Sequence, residues 1–286
     1  ASFGTSAANF NNKVEVATYH TVTNETADMS TTALAGVTSD DATITTAKAT
    51  LDAPAAVASQ TFTLTTALDD KTLGGGNDQA FAVDSTTAAS DTFNVSDAVD
   101  GGAGTDTFYL TIDAIGGGQT YTPSRITNFE NFSITNIGGN SMTTNVSLIA
   151  PTGVEVSAST SAVNITNVTA GSAITVTGNT AAVDIQHLNA GLTGTSDSVS
   201  IAMTGNTGGL TVDSDGAQDI ESATITATGI NSGSLVIGDQ AASTITSLTV
   251  GGAGSLAIGG GDLATLTTLD ASTNSGWCDL HYSGYY

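Results

Sequence analysis

The chain has 286 residues, of which 27 are acidic and only four are basic, so its formal net charge at pH 7 is −23. This charge excludes nucleic acid as a partner, because phosphate contacts require Lys and Arg, and it argues against docking on an anionic membrane. The hydrophobic content of 39% is that of a folded protein. Because the acidic side chains repel one another, the folded chain is expected to need counter-ions, and divalent cations are the obvious candidates.

Residues 1–55 are expected to form a short helical segment, the end of a helical domain. Apolar residues from Phe10 onward recur at near-helical spacing. A second helix is expected to begin after Thr38 or Ser39 and to end before Pro54. No apolar run in the whole chain approaches the roughly 18 residues of a membrane-spanning helix, so no membrane insertion is expected.

From Gln60 onward, apolar and polar residues alternate with period two, which predicts strands. All eight phenylalanines lie before residue 133, and the later strands carry small aliphatic side chains and recur about every ten residues between turns. This pattern fits a β-sandwich or a β-helix. We favour a mostly β chain built as a right-handed parallel β-helix, or β-solenoid, with calcium-binding turns, because its continuous Val, Ile and Thr ladders tolerate the lack of large aromatic residues.

The β region divides into three parts. Residues 56–135 contain aromatic residues and acidic, glycine-rich turns, and residues 136–275 contain the regular solenoid repeats. Residues 276–286 are an atypical tail that holds the single Trp and the single Cys, and they are set aside from the fold prediction.

An internal repeat links two stretches of the β region. GTDTFYL at 104–110 and FENFSIT at 129–135 correspond to GTSDSVSI at 194–201 and IESATIT at 220–226. In both copies 24 residues separate the aspartate from the glutamate, Asp106 from Glu130 and Asp197 from Glu221. The repeat predicts a stacked architecture with units of about ninety residues, and it predicts that each acidic pair lies on one flank, close enough to share one ion or two adjacent ions.

The sharpest motif is the nonapeptide at residues 101–109, which fits G-G-x-G-x-D-x-U-x at every fixed position. Its glycines, with Gly102 and Gly104 among them, let the backbone turn so that carbonyl groups point at a cation, and Asp106 supplies a charged oxygen. Calcium takes six to eight oxygen ligands, so a second turn is expected to contribute. The candidates one coil upstream are the degenerate copy ending at Asp78, and Asp91.

A second acidic cluster begins with the D-x-D-G sequence at 213–216 and continues through Asp219 to Glu221. It lacks the glutamate that completes an EF-hand loop, so an exposed acidic turn remains an alternative to metal binding. Asp84 is a weaker candidate. The predicted Ca²⁺ ligands are Asp78, Asp91, Asp100, Gly102, Gly104, Asp106, Glu130, Asp197, Asp213, Asp215 and Glu221.

Signals for an enzyme are weak. The three histidines, His20, His187 and His281, are isolated in the sequence, and no G-x-S-x-G motif occurs. Acidic pairs are too common in this composition to indicate a glycosidase. We therefore expect no enzyme, with a polysaccharide-acting enzyme as the least favoured alternative.

The motifs resemble those of a known group of proteins. VDGGAGTDTFYL at 99–110 resembles the RTX calcium repeat, and RITNFENFSIT at 125–135 resembles the segment that follows it in bacterial S-layer proteins and large RTX adhesins. The strands from 192 onward resemble the β-solenoid repeats of the same proteins. The resemblance at 99–135 implies that residues 56–135 are an RTX-like region. The single good nonapeptide argues against a long RTX β-roll.

The resemblance implies an exported protein of the bacterial cell surface that forms lattices or adhesive fibres with calcium. We expect a structural protein that assembles with itself, as an S-layer lattice or a surface filament. The alternative is an adhesin module that binds carbohydrate or protein on another surface, and cell-surface polysaccharide is a further expected partner. The lack of aromatic residues between 133 and 275 favours the structural role.

Overall fold

The computed structural model describes residues 2–23, 34–52, 58–113, 116, 118–216, 220–238, 244–259 and 263–281. The chain separates into two compact units, residues 1–56 and 57–286. In the described residues, no helix has both the length and the apolar character needed to cross a bilayer.

The first unit consists of two helices, α1 (Ser2–Thr23) and α2 (Ala42–Asp52). The Oδ1 atom of Asp40 accepts a hydrogen bond of 3.0 Å from the amide of Ala42, which satisfies one of the otherwise unpaired donors at the start of α2. The predicted helical segment is confirmed. Its small core is formed by Val16, Val37, Ile44 and Ala47.

The second unit is a parallel β-solenoid, which confirms the predicted fold class; the right-handed sense and the calcium-binding role of the turns stay predictions. Its strands, in chain order, are β1 (Thr61–Thr63), β2 (Asp70–Thr72), β3 (Gln79–Ser85), β4 (Ala98–Asp100), β5 (Thr107–Asp113), β6 (Gln119–Tyr121), β7 (Ile126–Thr127), β8 (Asn131–Asn136), β9 (Met142–Asn145), β10 (Gly153–Ser157), β11 (Val163–Val168), β12 (Ala173–Thr177), β13 (Val183–His187), β14 (Ser198–Thr204), β15 (Leu210–Ser214), β16 (Ser222–Thr228), β17 (Ile230–Ile237), β18 (Ser247–Gly252), β19 (Ser255–Gly259), β20 (Thr268–Asn274) and β21 (Cys278–His281). Short 3₁₀ turns occur at Asn189–Gly191 and Leu263–Thr265.

The strands form three sheets in which neighbours run parallel. The first sheet has ten strands in the order β1-β3-β5-β8-β10-β12-β14-β16-β18-β20, and the second has eight in the order β21-β19-β17-β15-β13-β11-β9-β6. A third sheet joins β2, β4 and β7. From β8 onward each coil gives one strand to the first sheet and one to the second, which explains why strands recur about every ten residues in the sequence.

Coil length varies along the solenoid. Thr61 pairs with Gln79, 18 residues later, whereas Gln79 pairs with Thr107, 28 residues later.

Inside the coils, side chains of successive strands stack in continuous rows, as parallel in-register pairing requires. One row of the first sheet is Ala80, Phe108, Phe132, Val154, Ile174, Ile201, Ile225 and Val250, all of them buried.

The stretches that the sequence separates are continuous in the structure. Strand β8 spans the boundary drawn between residues 135 and 136, and the first sheet continues across it. Cys278–His281, in the tail that was set aside, forms β21 and pairs in parallel with β19. Part of the tail therefore belongs to the solenoid.

A line of buried polar residues, which the sequence patterns did not predict, follows the strands of the first sheet. We call it the asparagine file: Asn136, Ser159, Asn179, Asn206 and Asn231. In each coil from Asn136 to Asn206, the main-chain amide donates to the side-chain oxygen of the next member, at 2.9 to 3.0 Å. The file connects successive coils at the corner that follows the strands of the first sheet.

Candidate metal site

The opposite corner, where the chain enters the first sheet, carries a second line of polar residues. We call it the entry corner. Its members are the residues immediately before the strands of that sheet: Gln60, Asp78, Asp106, Glu130, Thr152, Ser172, Asp197, Glu221, Thr246 and Thr267. Its carboxylates fall into two groups, the first acidic corner (Asp78, Asp106 and Glu130, on successive coils) and the second acidic corner (Asp197 and Glu221).

In the first acidic corner, each carboxylate accepts a hydrogen bond from the main chain of the preceding coil. The amide of Gln60 donates to Asp78 Oδ1 at 2.6 Å. The amide of Asp78 donates to Asp106 Oδ1 at 2.6 Å, and that of Asp106 to Glu130 Oε2 at 2.7 Å. These charge-assisted bonds stack three carboxylates along the solenoid.

Asp106 lies at the centre of this corner and is completely buried, with 0% of its surface exposed. Its Oδ2 atom has no hydrogen-bond partner. Burial raises the pKa of this carboxyl, and so does its repulsion by Glu130, Asp78 and Asp100, while the bond from the Asp78 amide lowers it. An anionic oxygen in this position lacks the compensation that buried charge requires.

The glycines of the nonapeptide let the coils approach closely around this oxygen. A Cβ atom on Gly101 would lie 2.9 Å from Asp106 Oδ2 and 2.0 Å from the carbonyl oxygen of Asn128. Gly102, with a φ of +92°, passes so close to the coil below that a Cβ would lie 2.1 Å from the carbonyl oxygen of Gly74. A carboxylate oxygen and a carbonyl oxygen therefore border the same glycine, and both are ligand types that calcium uses.

Two further predicted residues belong to the same turn. Asp100, the last residue of β4, accepts a bond of 3.0 Å from the amide of Gly102 and one of 2.7 Å from the Nδ2 atom of Asn128. Gly104 has a φ of +143°, and a Cβ on it would lie 2.1 Å from the carbonyl oxygen of Gly76. Asp100 thus holds the turn in shape beside the first acidic corner.

Asp91 lies elsewhere, at the far end of β3. Partial burial, and then repulsion by Asp91, raises the pKa of Asp84, whose half-buried carboxyl accepts a hydrogen bond from the hydroxyl of Tyr121. Asp78 precedes β3 whereas Asp84 lies near its end, and six extended residues span about 20 Å. The structure therefore does not bring Asp91 to the first acidic corner.

The second acidic corner repeats one contact of the first. The amide of Asp197 donates to Glu221 Oε2 at 2.8 Å, as that of Asp106 does to Glu130. The equal spacing of 24 residues is the length of one coil, since Thr107 pairs with Asn131 just as Ser198 pairs with Ser222. Each predicted pair thus lies on one flank, one coil apart.

Asp213 and Asp215 lie in the same coil but at the end of its strand in the second sheet. Asp213 is in β15 and Asp215 follows it, so neither belongs to the entry corner. Asp215 accepts a hydrogen bond from the amide of Asn189. It also acts on His187, whose pKa falls to about 4 because the ring is buried, with Asp215 opposing the shift. Asp219, the other aspartate of this acidic cluster, lies outside the described residues.

Within the described ranges, no three Asp, Glu, His or Cys side chains converge as a ready-made metal site. A cation at the first acidic corner would need main-chain oxygens as ligands as well. The carbonyl oxygen of Asn128, which no sequence motif indicated, borders this corner. Its signal in the sequence is weak, because it stands next to the corner only after the chain has made one full coil.

Comparison with known proteins gives no match to a family model, a curated protein or a solved structure.

Proposed function

We propose that this chain is a structural protein of the bacterial cell surface, exported from the cell, which binds Ca²⁺ at its acidic corners and assembles with itself into a lattice or filament. The observation that carries the proposal is the first acidic corner, where Asp106 keeps an unpartnered oxygen among three other carboxylates. Of the ion pairs between described residues, the structure has one, between Lys48 and Glu15, in the helical unit. The acidic corner therefore has a need for positive charge that protein side chains do not meet.

The oxygen atoms at this corner are of the types that bind calcium. Asp106 Oδ2 and the Asn128 carbonyl oxygen approach the same point beside Gly101, with Glu130 one coil further on. All are oxygen ligands, as a hard cation prefers, and water or further carbonyl groups would complete the six to eight positions. A bound ion would offset the repulsion among the carboxylates only in the folded chain, so folding would be linked to calcium.

Assembly fits the same picture. Subunits of net charge −23 repel one another at low ionic strength, and a divalent ion shared between acidic surfaces would remove that barrier. Strand β20 pairs along one side only in the described sheet, and its other side would accept a strand from a neighbouring subunit. The proposal includes no catalytic step.

Light scattering followed by negative-stain microscopy tests the proposal. We expect monomers in chelator and ordered sheets or filaments once millimolar calcium is added, with magnesium at equal ionic strength as the control. Magnesium screens charge equally well but demands a stricter octahedral geometry. A protein that stays monomeric from micromolar to millimolar calcium, at high protein concentration, would refute self-assembly and leave the adhesin module as the better interpretation.

A further inference from the structure

The outer face of the ten-stranded sheet carries a groove of about 310 Å³ that crosses β5, β8, β10 and β12. Its floor is formed by three small residues, Gly153 and Ala173, which pair with each other on neighbouring strands, and Ser133, which pairs with Glu155. Its sides are formed by Tyr109, Asn131 and Glu155. The volume is at the lower end of the roughly 300 to 1,000 Å³ typical of small-molecule sites.

One wall of the groove is formed by the half-buried side chain of Tyr109. The rings of Phe81 and Tyr109 stack with their centroids 4.6 Å apart and their planes 4° from parallel. Along the sheet, Phe81 pairs with Tyr109, and Tyr109 with Ser133. Since Phe81 covers one face of the tyrosine ring, the other face is directed toward the next strand, where Tyr109 pairs with the small residue Ser133.

The opposite side of the groove is polar. Glu155 Oε2 accepts a bond of 2.9 Å from the Ser133 hydroxyl, which leaves Oε1 available. Asn131 leans over the floor, because a Cβ on Gly153 would lie 2.5 Å from its Oδ1 atom. Within the described part of the chain, no hydrogen bond engages the side chain of Asn131 or the hydroxyl of Tyr109. Donors and acceptors thus stand beside an aromatic face, ready for an external ligand.

We infer that this groove binds a pyranose ring of a neutral polysaccharide. A pyranose presents C–H groups on one face and hydroxyl groups around its edge. The C–H face would pack on Tyr109, whose π-system is negative at its face, while hydroxyl groups would donate to Glu155 and exchange hydrogen bonds with Asn131. The net charge of −23 disfavours anionic sugars.

The inference stands independently of calcium and of self-assembly, because none of the groove residues belongs to an acidic corner. The test is therefore made in chelator, so that it does not depend on the proposed function. Saturation-transfer NMR would be recorded with three neutral probes, cellotetraose, maltotetraose and mannotetraose, and with tetragalacturonate as the anionic probe. Circular dichroism would confirm that each variant is folded.

At least one neutral probe is expected to bind the wild type with millimolar affinity. Tyr109→Ala should weaken binding about tenfold, whereas Tyr109→Phe, which keeps the ring, should retain it. Glu155→Gln should weaken binding about tenfold by removing the charged acceptor. Thr249→Ala, on the same outer face outside the groove, is the matched control and should bind like the wild type.

Any one of the following outcomes would overturn the inference. The first is that no neutral probe binds the folded wild type at millimolar concentration. The second is that Tyr109→Ala and Glu155→Gln bind as the wild type does, or that tetragalacturonate binds more tightly than the neutral probes. The third is a concentration-dependent dimer in chelator that Tyr109→Ala abolishes, since the groove would then be an interface between copies of this chain.

Discussion

The two corners that flank the first sheet solve the same structural problem with different chemistry. At both corners a side-chain oxygen accepts a hydrogen bond from the main-chain amide of the preceding coil, Asp106 for Asp78 at the entry corner and Asn206 for Asn179 in the asparagine file. The distances, 2.6 and 3.0 Å, differ as expected for a charged and a neutral acceptor.

The difference lies in the second polar atom of each side chain. Asn206 uses its Nδ2 atom to donate 2.8 Å to the carbonyl oxygen of Val176, so the whole amide group is satisfied and neutral. Asp106 has a second oxygen with no partner. Stacking therefore requires only one acceptor per coil, and the negative charge of the entry corner is surplus to it. This surplus is the physical reason why the cation is proposed at the acidic corner and not at the asparagine file.

The largest effect is expected from breaking the asparagine file. Asn206→Ala removes the acceptor for the amide of Asn179 and the donor for the carbonyl group of Val176, and both groups are left unpaired in a buried corner. We expect a loss of about 4 kcal/mol in the free energy of unfolding, from two unsatisfied groups and a small cavity. Urea unfolding measures it.

The matched control is Asn145→Ala, at the end of β9. Asn145 is half-buried and accepts a single bond, from the amide of Ser147. Its loss should cost less than about 1 kcal/mol. Equal effects at Asn145 and Asn206 would contradict the importance of the file.

His187 offers a third way to bury a polar side chain, by remaining neutral. Only 1% of it is exposed, neither ring nitrogen has a hydrogen-bond partner, and its pKa is about 4. Because the folded value lies below the ordinary 6.5, the unfolded chain binds more protons between these values, and stability falls as the pH falls from 6.5 to 4. The loss amounts to about 3 kcal/mol.

His187→Leu should remove this pH dependence. Chemical denaturation of the variant and the wild type at several pH values between 4 and 7 gives the difference directly. A difference in unfolding free energy that stays constant over this range would show that His187 titrates normally.

Asp106→Asn replaces the central carboxylate of the first acidic corner by a neutral amide, the group that the asparagine file uses. The wild type is expected to gain about 3 kcal/mol of stability at a hundredfold excess of calcium over its dissociation constant. The variant should gain much less. In chelator it should be at least as stable as the wild type, because the bond from the Asp78 amide is kept while the repulsion by Glu130 and Asp100 is removed.

The pH dependence in chelator checks the same point. The folded pKa of Asp106 is raised above 3.8, so the stability it contributes is present below that value and is lost as the pH rises through the folded pKa. Asp106→Asn should abolish this part of the acid stabilisation. Thermal melting measures both the calcium-induced and the acid-induced stabilisation. A wild-type melting temperature that does not change with calcium would contradict the proposed metal site.

The smallest effect is expected at the second acidic corner. Glu221→Gln keeps an oxygen that accepts from the amide of Asp197, so its stability in chelator should change by less than about 1 kcal/mol. Glu130→Gln, the matched change in the corner of three carboxylates, should reduce the calcium-induced rise in melting temperature more than Glu221→Gln does. The reverse order would place the principal ion at the second corner.

The sequence by itself determined the class of fold and the composition of the coils. Period-two alternation fixes which side chains of a strand point inward, since neighbours alternate between faces, so the buried residues of each strand follow from the sequence alone. The helical segment followed from apolar spacing, and the pairing of Asp106 with Glu130 followed from a repeated interval that proved to be the length of one coil.

Only the tertiary structure decided which residues meet across coils. Coil length varies from 18 to 28 residues, so no fixed period predicts that Asn128 and Asp106 border the same glycine, or that Asp91 acts on Asp84 near the far end of β3. The asparagine file could not be predicted from the sequence because its members are too far apart in the chain for local patterns to connect them. Contacts within a strand are local and leave a period in the sequence, whereas contacts between coils depend on the length of every intervening turn.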